Sequence, residues 1–162
     1  MIFIVVGSQE PFDRLIKAVD LWASENKHKN VFAQIGKTNL RPRHINWTEF
    51  LPPQVFEEKL KQAQIIISHA GMGTILNALY HSKPIIVMPR LFHFHEQRND
   101  HQLATARSLS RLGYISVAYN EFELRHKLQR IEYVKPYQAI GPHASMSLIN
   151  EIRNFIFPER IC

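Results

Sequence analysis

Two apolar runs, QIIIS at residues 64–68 and PIIVMP at 84–89, show no regular alternation with polar residues. A strand that packs on one face only alternates apolar and polar side chains, whereas a strand covered on both faces reads as a continuous apolar run. Strands of the second kind occur in parallel sheets with helices on both sides. The two runs therefore constrain the chain to an α/β fold.

Segments with helical spacing separate the apolar runs. Strands are predicted at residues 2–6, 31–35, 45–50, 64–68, 85–88 and 114–118. A first helix is predicted from residue 12 to 23, with Pro11 in its first turn, and further helices are predicted at 55–63, 74–81, 96–112 and 121–131. This order predicts a Rossmann-like open parallel sheet with helices on both faces, in a single domain spanning residues 1–162.

Composition limits the class of protein and its compartment. The 162 residues suffice for one domain with a sizeable core. No apolar run reaches the roughly 18 residues of a membrane-spanning helix. The opening MIFIVV lacks the basic region of a signal peptide and is expected to be a strand. The single cysteine, Cys162, excludes an internal disulfide and fits a reducing cytosol, so a cytoplasmic location is expected.

Basic residues outnumber acidic ones by 20 to 14. Such an excess suits nucleic acid, an anionic membrane face or a phosphorylated ligand. The charges are scattered along the chain, without a basic stripe interleaved with aromatic residues. Nucleic acid is therefore not expected as a partner.

A glycine-rich turn, SHAGMGTI at residues 68–75, follows the predicted fourth strand. In open α/β sheets, ligands bind outside the carboxyl ends of the strands. Gly71 and Gly73 would leave room for a ligand, and the first amide groups of the next helix, with the Thr74 hydroxyl, would suit a phosphate. Leu76 stands where a dinucleotide fingerprint has its third glycine, which disfavours nicotinamide. A tight turn without a ligand is the alternative.

The first predicted strand ends in a similar turn, VVGSQEPF at residues 5–12. Gly7, Ser8 and Gln9 would lie at the same edge of the sheet as the turn after the fourth strand. Two such turns on one edge favour a diphosphate between them, and a plain connecting turn is again the alternative.

A third polar segment, PRLFHFHEQRNDHQ at residues 89–102, follows the fifth strand. A metal site would use His93, His95, Glu96 and His101, but their spacing matches no tight ligand motif. The carboxylates and amide of Glu96, Asp100 and Gln102 would suit a hydroxyl-rich ligand such as a sugar. An exposed polar helix start is the alternative.

Three motifs together resemble the C-terminal, donor-binding half of GT-B glycosyltransferases. They are HAGMGTI at 69–75, KPIIVMPR at 83–90 and E..NDHQ at 96–102, and the opening IFIVVGSQ.PFDRLIKAVD fits the same proteins. The resemblance is greatest to small subunits of two-component enzymes. One group of these makes bacterial exopolysaccharide, and another adds the second N-acetylglucosamine to a dolichol-linked sugar. The resemblance covers nearly the whole chain and implies the GT-B C-terminal fold.

The resemblance implies roles for three sets of residues. The diphosphate would be held by Gly7, Ser8, Gln9, His69, Ala70, Gly71, Met72, Gly73 and Thr74. The nucleoside would be held by backbone contacts of Phe50 and Leu51 and by Asn77, which stands where the wider superfamily often has a glutamate. The donor sugar would be faced by Glu96, Asp100, His101 and Gln102.

The implied reaction moves a sugar from a UDP-sugar to a lipid-linked saccharide in polysaccharide biosynthesis. The donor would be of the UDP-N-acetylglucosamine or UDP-glucose/glucuronate type, and the resembling fold needs neither a metal nor another cofactor. The general base belongs to the other half of such enzymes, so no catalytic residue is assigned here. A membrane-anchored acceptor-domain subunit would hold the chain at the inner face of the membrane. A non-catalytic nucleotide-sugar-binding module is the alternative.

A final helix is predicted at residues 145–157, after a loop with Pro and Gly at 133–145. One apolar face comprises Leu148, Ile149, Ile152, Phe155 and Ile156, and Met146 and Phe157 project roughly opposite. One face is expected to cover the sheet and the other to contact the partner subunit, since exposed apolar patches often mark interfaces. A homodimer through this helix is the alternative.

Overall fold

The computed structural model describes residues 1–27, 30–136, 140–141 and 143–157. Within them the strands are β1 (Ile2–Val5), β2 (Val31–Gln34), β3 (Asn46–Thr48), β4 (Ile65–His69), β5 (Ile85–Met88) and β6 (Ser116–Val117). All neighbouring strands are parallel, and their order is β3-β2-β1-β4-β5-β6. The predicted open parallel sheet is confirmed. Cys162 lies outside the described residues.

Helices connect the strands. The α-helices are α1 (Asp13–Glu25), α2 (Pro53–Gln62), α3 (Met72–Tyr80), α4 (His101–Arg111), α5 (Glu121–Gln129) and α6 (Met146–Ile156). Short 3-10 helices occupy Phe92–Phe94 and Ile131–Tyr133. In the part of the chain that the structure describes, no helix is long and apolar enough to cross a membrane.

The side chains of β1 show why the sheet is buried on both faces. Ile2 and Ile4 belong to the core that α1 and α5 cover, whereas Phe3 and Val5 belong to the core beneath α2, α3 and α4. All four are at most 3% exposed. Helices on both sides thus account for the uninterrupted apolar runs from which the fold was predicted.

The strand order places β1 at the centre, with β2 on one side and β4 on the other. The chain first winds from β1 towards β2, and later returns to the opposite side of β1 with β4. This reversal is a topological switch point, where a parallel sheet leaves a crevice at the carboxyl ends of its strands. The turns that follow β1 and β4 both border this crevice.

Several element boundaries differ from the prediction. β3 and β6 are shorter than predicted, with three and two residues. α1 begins at Asp13, which leaves Pro11 outside the helix. α3 begins at Met72, two residues early, because Gly71 has the extended backbone of a helix N-cap.

The largest difference concerns the segment before α4. The helix begins at His101 rather than at residue 96, and the preceding residues form a loop. Two carboxylates of this segment bond to backbone amides instead of lying in a helical turn. Glu96 accepts from the Leu91 amide and Asp100 from the Phe92 amide, each at 3.0 Å. Side chains that bond to nearby backbone amides favour loops over helices.

α6 packs less than predicted. None of its residues is buried, and the side chains of Phe155 and Ile156 are 87% and 57% exposed. The expectation that one face covers the sheet is therefore wrong. The N-cap of α6 is Ser145, whose hydroxyl accepts a hydrogen bond from the Leu148 amide at 3.3 Å.

Candidate functional site

A polar cleft of about 330 Å³ lies at the carboxyl edge of the sheet. It is lined by Gly7, Ser8, Gln9, His69, Gly71, Gly73, Thr74, Arg90, Gln97, His101 and Gln102. The cleft thus brings together both predicted turns and part of the predicted sugar-binding segment, from three separate stretches of the chain. Among the described residues, no carboxylate belongs to this lining.

Two glycines of the cleft make room for a histidine ring. A Cβ atom on Gly71 would lie 2.2 Å from His69 Nε2, and one on Gly7 would lie 2.9 Å from the same atom. Gly7 also has a φ of +82°, which side chains rarely tolerate. Gly73 differs, because among the described residues no atom beyond its chain neighbours and its own helix backbone lies within 4 Å of its Cβ position. Both glycines were expected to leave room for a ligand and both line the cleft, but only Gly73 has open space at the position of an added Cβ atom.

His69 is held as a neutral ring. Its Nδ1 lies 3.2 Å from Ser68 Oγ and 3.4 Å from the carbonyl oxygen of Val5. Since the Ser68 hydroxyl donates to the same carbonyl at 3.0 Å, we assign the ring proton to Nδ1. Burial, and next the charge of Arg90, lower the pKa of His69 to about 4, against a smaller opposing effect of the Val5 carbonyl. Nε2 is then a hydrogen-bond acceptor.

Arg90 is a buried cation at the end of β5. It is 3% exposed and lines the cleft. Its Nη2 donates to the carbonyl oxygens of Val6 and Glu10, and its guanidinium lies 5.2 Å from the centre of the Phe12 ring. Burial lowers the pKa of Arg90 to about 10, with Glu96 and Glu10 acting in the opposite direction. The side chain therefore stays charged at neutral pH.

Arg90 was not among the predicted site residues. The motif KPIIVMPR, which ends in Arg90, contributes to the family resemblance without indicating a role for this residue. A usable signal was present, because Arg90 is a lone charge placed directly after a strand buried on both faces. Such a charge must either find a partner or face the crevice at the carboxyl end of the sheet.

Gln102 joins the ends of two strands. It is 2% exposed, and its Oε1 accepts hydrogen bonds from the backbone amides of Ala70 at 3.1 Å and Arg90 at 3.2 Å. Because the carbonyl oxygen is used in this way, the side chain has only its NH₂ group to offer a ligand. The Ala70 amide, predicted to face a phosphate, is likewise already bonded.

Glu96 lies outside the cleft lining, although it was predicted to face the donor sugar. Its two carboxylate oxygens accept from Arg14 Nε at 2.7 Å and Arg14 Nη2 at 2.8 Å. Arg14 also donates to the carbonyl oxygen of Pro89 at 3.1 Å. Both side chains of this pair are 11% exposed. The pair fastens the loop after β5 to α1.

The other predicted sugar-binding residues differ in position. His101 lines the cleft, and its backbone amide bonds to Asn99 Oδ1 at 3.1 Å. Asp100 does not line it, since its carboxylate bonds to the Phe92 amide. An adjoining hollow of about 530 Å³ shares Gln9, Gln97 and His101 with the cleft.

The start of α3 offers backbone donors. Its N-cap, Gly71, makes no side-chain capping bond, so the amides of Met72, Gly73 and Thr74 have no intrahelical partner. Thr74 is buried and lines the cleft, whereas the Met72 side chain is 45% exposed and does not. Aligned amides at a helix start are a suitable site for an anion.

The predicted nucleoside-binding residues lie farther along the same edge. Phe50 and Leu51 follow β3, which is two strands from β1. The Leu51 amide already donates to Gln34 Oε1 at 3.0 Å, and the Phe50 carbonyl accepts from Thr48 Oγ1 at 3.3 Å. Asn77 is exposed on α3, where its Nδ2 donates to the Gly73 carbonyl at 3.0 Å and its Oδ1 remains an acceptor.

The metal alternative is not supported by the positions of the acidic and histidine side chains. Across the described ranges, no three His, Cys, Asp or Glu residues lie close enough to hold a metal ion. In particular, Glu96 is paired with Arg14 and is not grouped with His93, His95 and His101.

Comparison with known families gives one match over almost the whole chain. The Glycosyltransferase family 28 C-terminal domain matches residues 1–152. A solved structure with the same fold is an NMR solution structure of ALG13, with a TM-score of 0.59 and 18% identity. The superposition covers 93% of each chain.

Two curated relatives are also similar in sequence. The UDP-N-acetylglucosamine transferase subunit ALG13 of Homo sapiens is 30% identical over 125 residues, which are 70% of this chain and 10% of the human protein. The protein of that name from Cryptococcus neoformans var. neoformans serotype D is 34% identical over 106 residues, covering 64% of this chain and 47% of the relative. The chain thus spans less than half the length of both relatives.

A matched pair of alanine variants tests the packing around His69. Gly71→Ala should lower the free energy of unfolding by about 1–3 kcal/mol, because the added methyl group overlaps the ring. Gly73→Ala should be neutral or raise it by up to about 1 kcal/mol, since alanine favours helices and has room here. Urea unfolding measures both values. Equal effects at the two positions would contradict the placement of the ring.

Protonation of His69 should make stability depend on pH. The pKa is about 4 in the folded protein and 6.5 ordinarily, so the unfolded chain binds the proton first. The contribution is present above about pH 6.5 and is lost as the pH falls towards 4. The stability advantage of the wild type over His69→Asn should shrink by on the order of 3 kcal/mol at most across this range.

The measurement is urea unfolding at several pH values, with His126→Asn as a control at an exposed histidine. The control should follow the wild-type profile. Parallel profiles for the wild type and His69→Asn would show that the ring is not held neutral by burial.

Proposed function

The chain belongs to the family of glycosyltransferase family 28 C-terminal domains, and we propose that it binds the nucleotide-sugar donor in a two-subunit glycosyltransferase. The observation that carries this proposal is the convergence of donor groups on one cleft. The unpaired amides of α3, the Thr74 hydroxyl and the Arg90 guanidinium meet where the turns after β1 and β4 face each other. These groups complement a diphosphate.

UDP is the proposed nucleotide. The names of the curated relatives include UDP-N-acetylglucosamine, so we take this as the first donor to test, ahead of UDP-glucose and UDP-glucuronate. We propose that the nucleoside extends from the cleft towards the end of β3, where Phe50 and Leu51 follow the strand. The Oδ1 atom of Asn77 would accept from a ribose hydroxyl on the way.

The sugar would extend to the other side of the cleft. Gln9, Gln97 and His101 line both the cleft and the adjoining hollow, and the Gln102 amide has donors to offer. We propose that these side chains contact the sugar hydroxyls. For Glu96 and Asp100 we propose an indirect role, because their carboxylates already bond to Arg14 and to the Phe92 amide. They would position the loop that carries the sugar-binding side chains.

In the proposed reaction, an acceptor hydroxyl oxygen forms a bond to the anomeric carbon of the donor. The bond from that carbon to the β-phosphate oxygen breaks, and its electron pair stays on UDP. The helix dipole and amides of α3 stabilise this growing charge. The proton of the acceptor hydroxyl goes to a general base, which we place in a partner subunit, as the resemblance to two-component enzymes implies.

A membrane-anchored acceptor-domain subunit is the proposed partner, and a lipid-linked saccharide is the proposed acceptor. The names of the curated relatives call them subunits, which supports a multi-subunit enzyme. The exposed apolar residues of α6 offer a surface for such a partner. The formal net charge of +6 would favour an anionic inner leaflet, and with it a peripheral position on the cytoplasmic side.

A non-catalytic nucleotide-sugar-binding module is the second candidate function. It is favoured by the lack of a carboxylate among the described residues of the cleft lining. The two functions differ in a transfer assay with the partner, since only the first yields a glycosylated lipid.

Gly73→Val tests the diphosphate site. The branched side chain would project into the open space beside the first turn of α3, where a phosphate would approach the amides. We expect the affinity for UDP to fall by about tenfold or more, equivalent to about 1.4 kcal/mol. Isothermal titration with UDP measures this loss.

The matched control is Ser108→Val, which adds the same side chain at an exposed position of α4. This control should bind UDP as the wild type does. A folded Gly73→Val protein with unchanged affinity for UDP would move the phosphate site elsewhere.

The requirement for a partner is tested by reconstitution. Purified chain is mixed with UDP-N-acetylglucosamine and lipid-linked acceptor in vesicles, with and without the candidate acceptor subunit. We expect transfer only when both proteins are present. Full transfer by the chain alone would refute the two-subunit proposal.

Two variants of α6 test where the partner binds. Phe155→Asp and Asn154→Asp each add one negative charge to the same helix, at adjacent positions. Phe155 is 87% exposed and apolar, so we expect its replacement to weaken complex formation at least tenfold, whereas Asn154→Asp should have little effect. Equal affinities would exclude this face of the helix.

A further inference from the structure

Arg90 is buried without an acidic partner. Among the described residues no ion pair joins it to a carboxylate, and its Nε has no hydrogen-bond partner. Arg14, which contacts the same loop, is different. It pairs with Glu96 at 2.7 Å and Glu121 at 3.3 Å. The Glu96 carboxylate is thus paired with Arg14, and no described carboxylate forms an ion pair with Arg90, although Glu96 and Glu10 act on its charge from farther away.

A buried charge without an ion pair is costly. Removing an ion from water costs several kcal/mol even after the surroundings relax. The carbonyls of Val6 and Glu10 offset part of this cost, but they carry no charge. The fall in the pKa of Arg90 to about 10 has the same cause, desolvation by burial. The fold therefore holds a cation that a bound anion would stabilise.

The surroundings of Arg90 favour an anion. The start of α3, whose amides lack partners, borders the same cleft and carries the positive end of a helix dipole. Among its described lining residues, the cleft has no carboxylate that could answer either positive group. Two sources of positive potential thus act on one cavity.

We infer that Arg90 is the charge partner of the donor's diphosphate and stabilises the charge that develops on it as the sugar departs. This inference rests on the proposed function. When the bond from the anomeric carbon to the β-phosphate oxygen breaks, the electron pair remains on that oxygen and adds one negative charge to the leaving group. Arg90 keeps its proton throughout and acts through its charge and hydrogen bonds. The proton of the acceptor hydroxyl goes to the base of the partner subunit.

A purely structural role is the competing explanation, because Arg90 also joins the carbonyls of Val6 and Glu10. The two roles differ in how variants respond to phosphate. If Arg90 is a charge partner, its replacement weakens the binding of ligands that contain a diphosphate and does not change the affinity for uridine. If Arg90 has only a structural role, its replacement lowers the affinity for every ligand of the cleft to the same extent.

The experiment titrates UDP, uridine and inorganic pyrophosphate into wild-type chain, Arg90→Met, Arg90→Lys and the control Arg107→Met. Arg107 is an exposed arginine of α4, so its loss changes the net charge equally. We expect Arg90→Met to bind UDP and pyrophosphate at least tenfold more weakly and uridine as the wild type does. Arg90→Lys should recover part of the loss, and Arg107→Met should show none.

Three results would overturn the inference. One is an equal loss for UDP and uridine, and another is undiminished binding of UDP and pyrophosphate by Arg90→Met. If Arg90→Met does not fold, the neutral variant Arg90→Gln replaces it, and wild-type affinity for pyrophosphate in that variant is the third. If the wild type binds UDP while the variants do too, the inference fails and the proposed function stands. If the wild type binds pyrophosphate in an Arg90-dependent manner but neither UDP nor UDP-sugars, the proposed function fails instead.

Discussion

The parallel pairing of β1 with β4 is the constraint on which the rest of the site depends. β4 is apolar on both faces, so alternation of side chains cannot fix its register against β1. Ser68 does so, because it is fully buried opposite Val5 and its hydroxyl donates to the Val5 carbonyl. This register then places His69 against Gly7. A slip of one residue would separate the ring from the space that Gly7 and Gly71 leave for it.

Polar side chains in the segment from residue 89 to 102 are used first by the fold. Gln102 binds the amides of two strand ends, and Glu96 and Asp100 bind amides of their own loop. Buried amides require such partners, so the fold and any ligand compete for the same acceptor oxygens. With these oxygens bonded, the donors left at the cleft include the amides of α3, the Gln102 NH₂ group and Arg90. The preference for anions that we propose would follow from this use of the acceptor oxygens as much as from the charge of Arg90.

The sequence was sufficient for the sheet and for the two turns, because uninterrupted apolar runs and glycines are local signals. The sequence was insufficient wherever a side chain could bond to either of two residues that are far apart along the chain. Glu96 pairs with Arg14, 82 positions away, and nothing in the loop itself distinguishes Arg14 from Arg90 as its partner. In the same way, Gly71 makes room for the His69 ring whereas Gly73 has open space at its Cβ position, although both residues are glycines of the same turn. Whether the apolar face of α6 packs against the sheet depends on tertiary contacts. The apolar spacing in the sequence therefore could not show that this face is exposed.

That uncovered helix has a thermodynamic consequence. α6 has 11 residues, and isolated helices shorter than about 12–15 residues are marginal in water. Since no side chain of α6 is buried, packing against the sheet adds little to its stability. The ordering of the helix would then depend on the binding of the partner subunit. Association through α6 would therefore combine folding with binding. Such an event has a large negative heat-capacity change and an entropic penalty that a rigid, preformed surface would avoid.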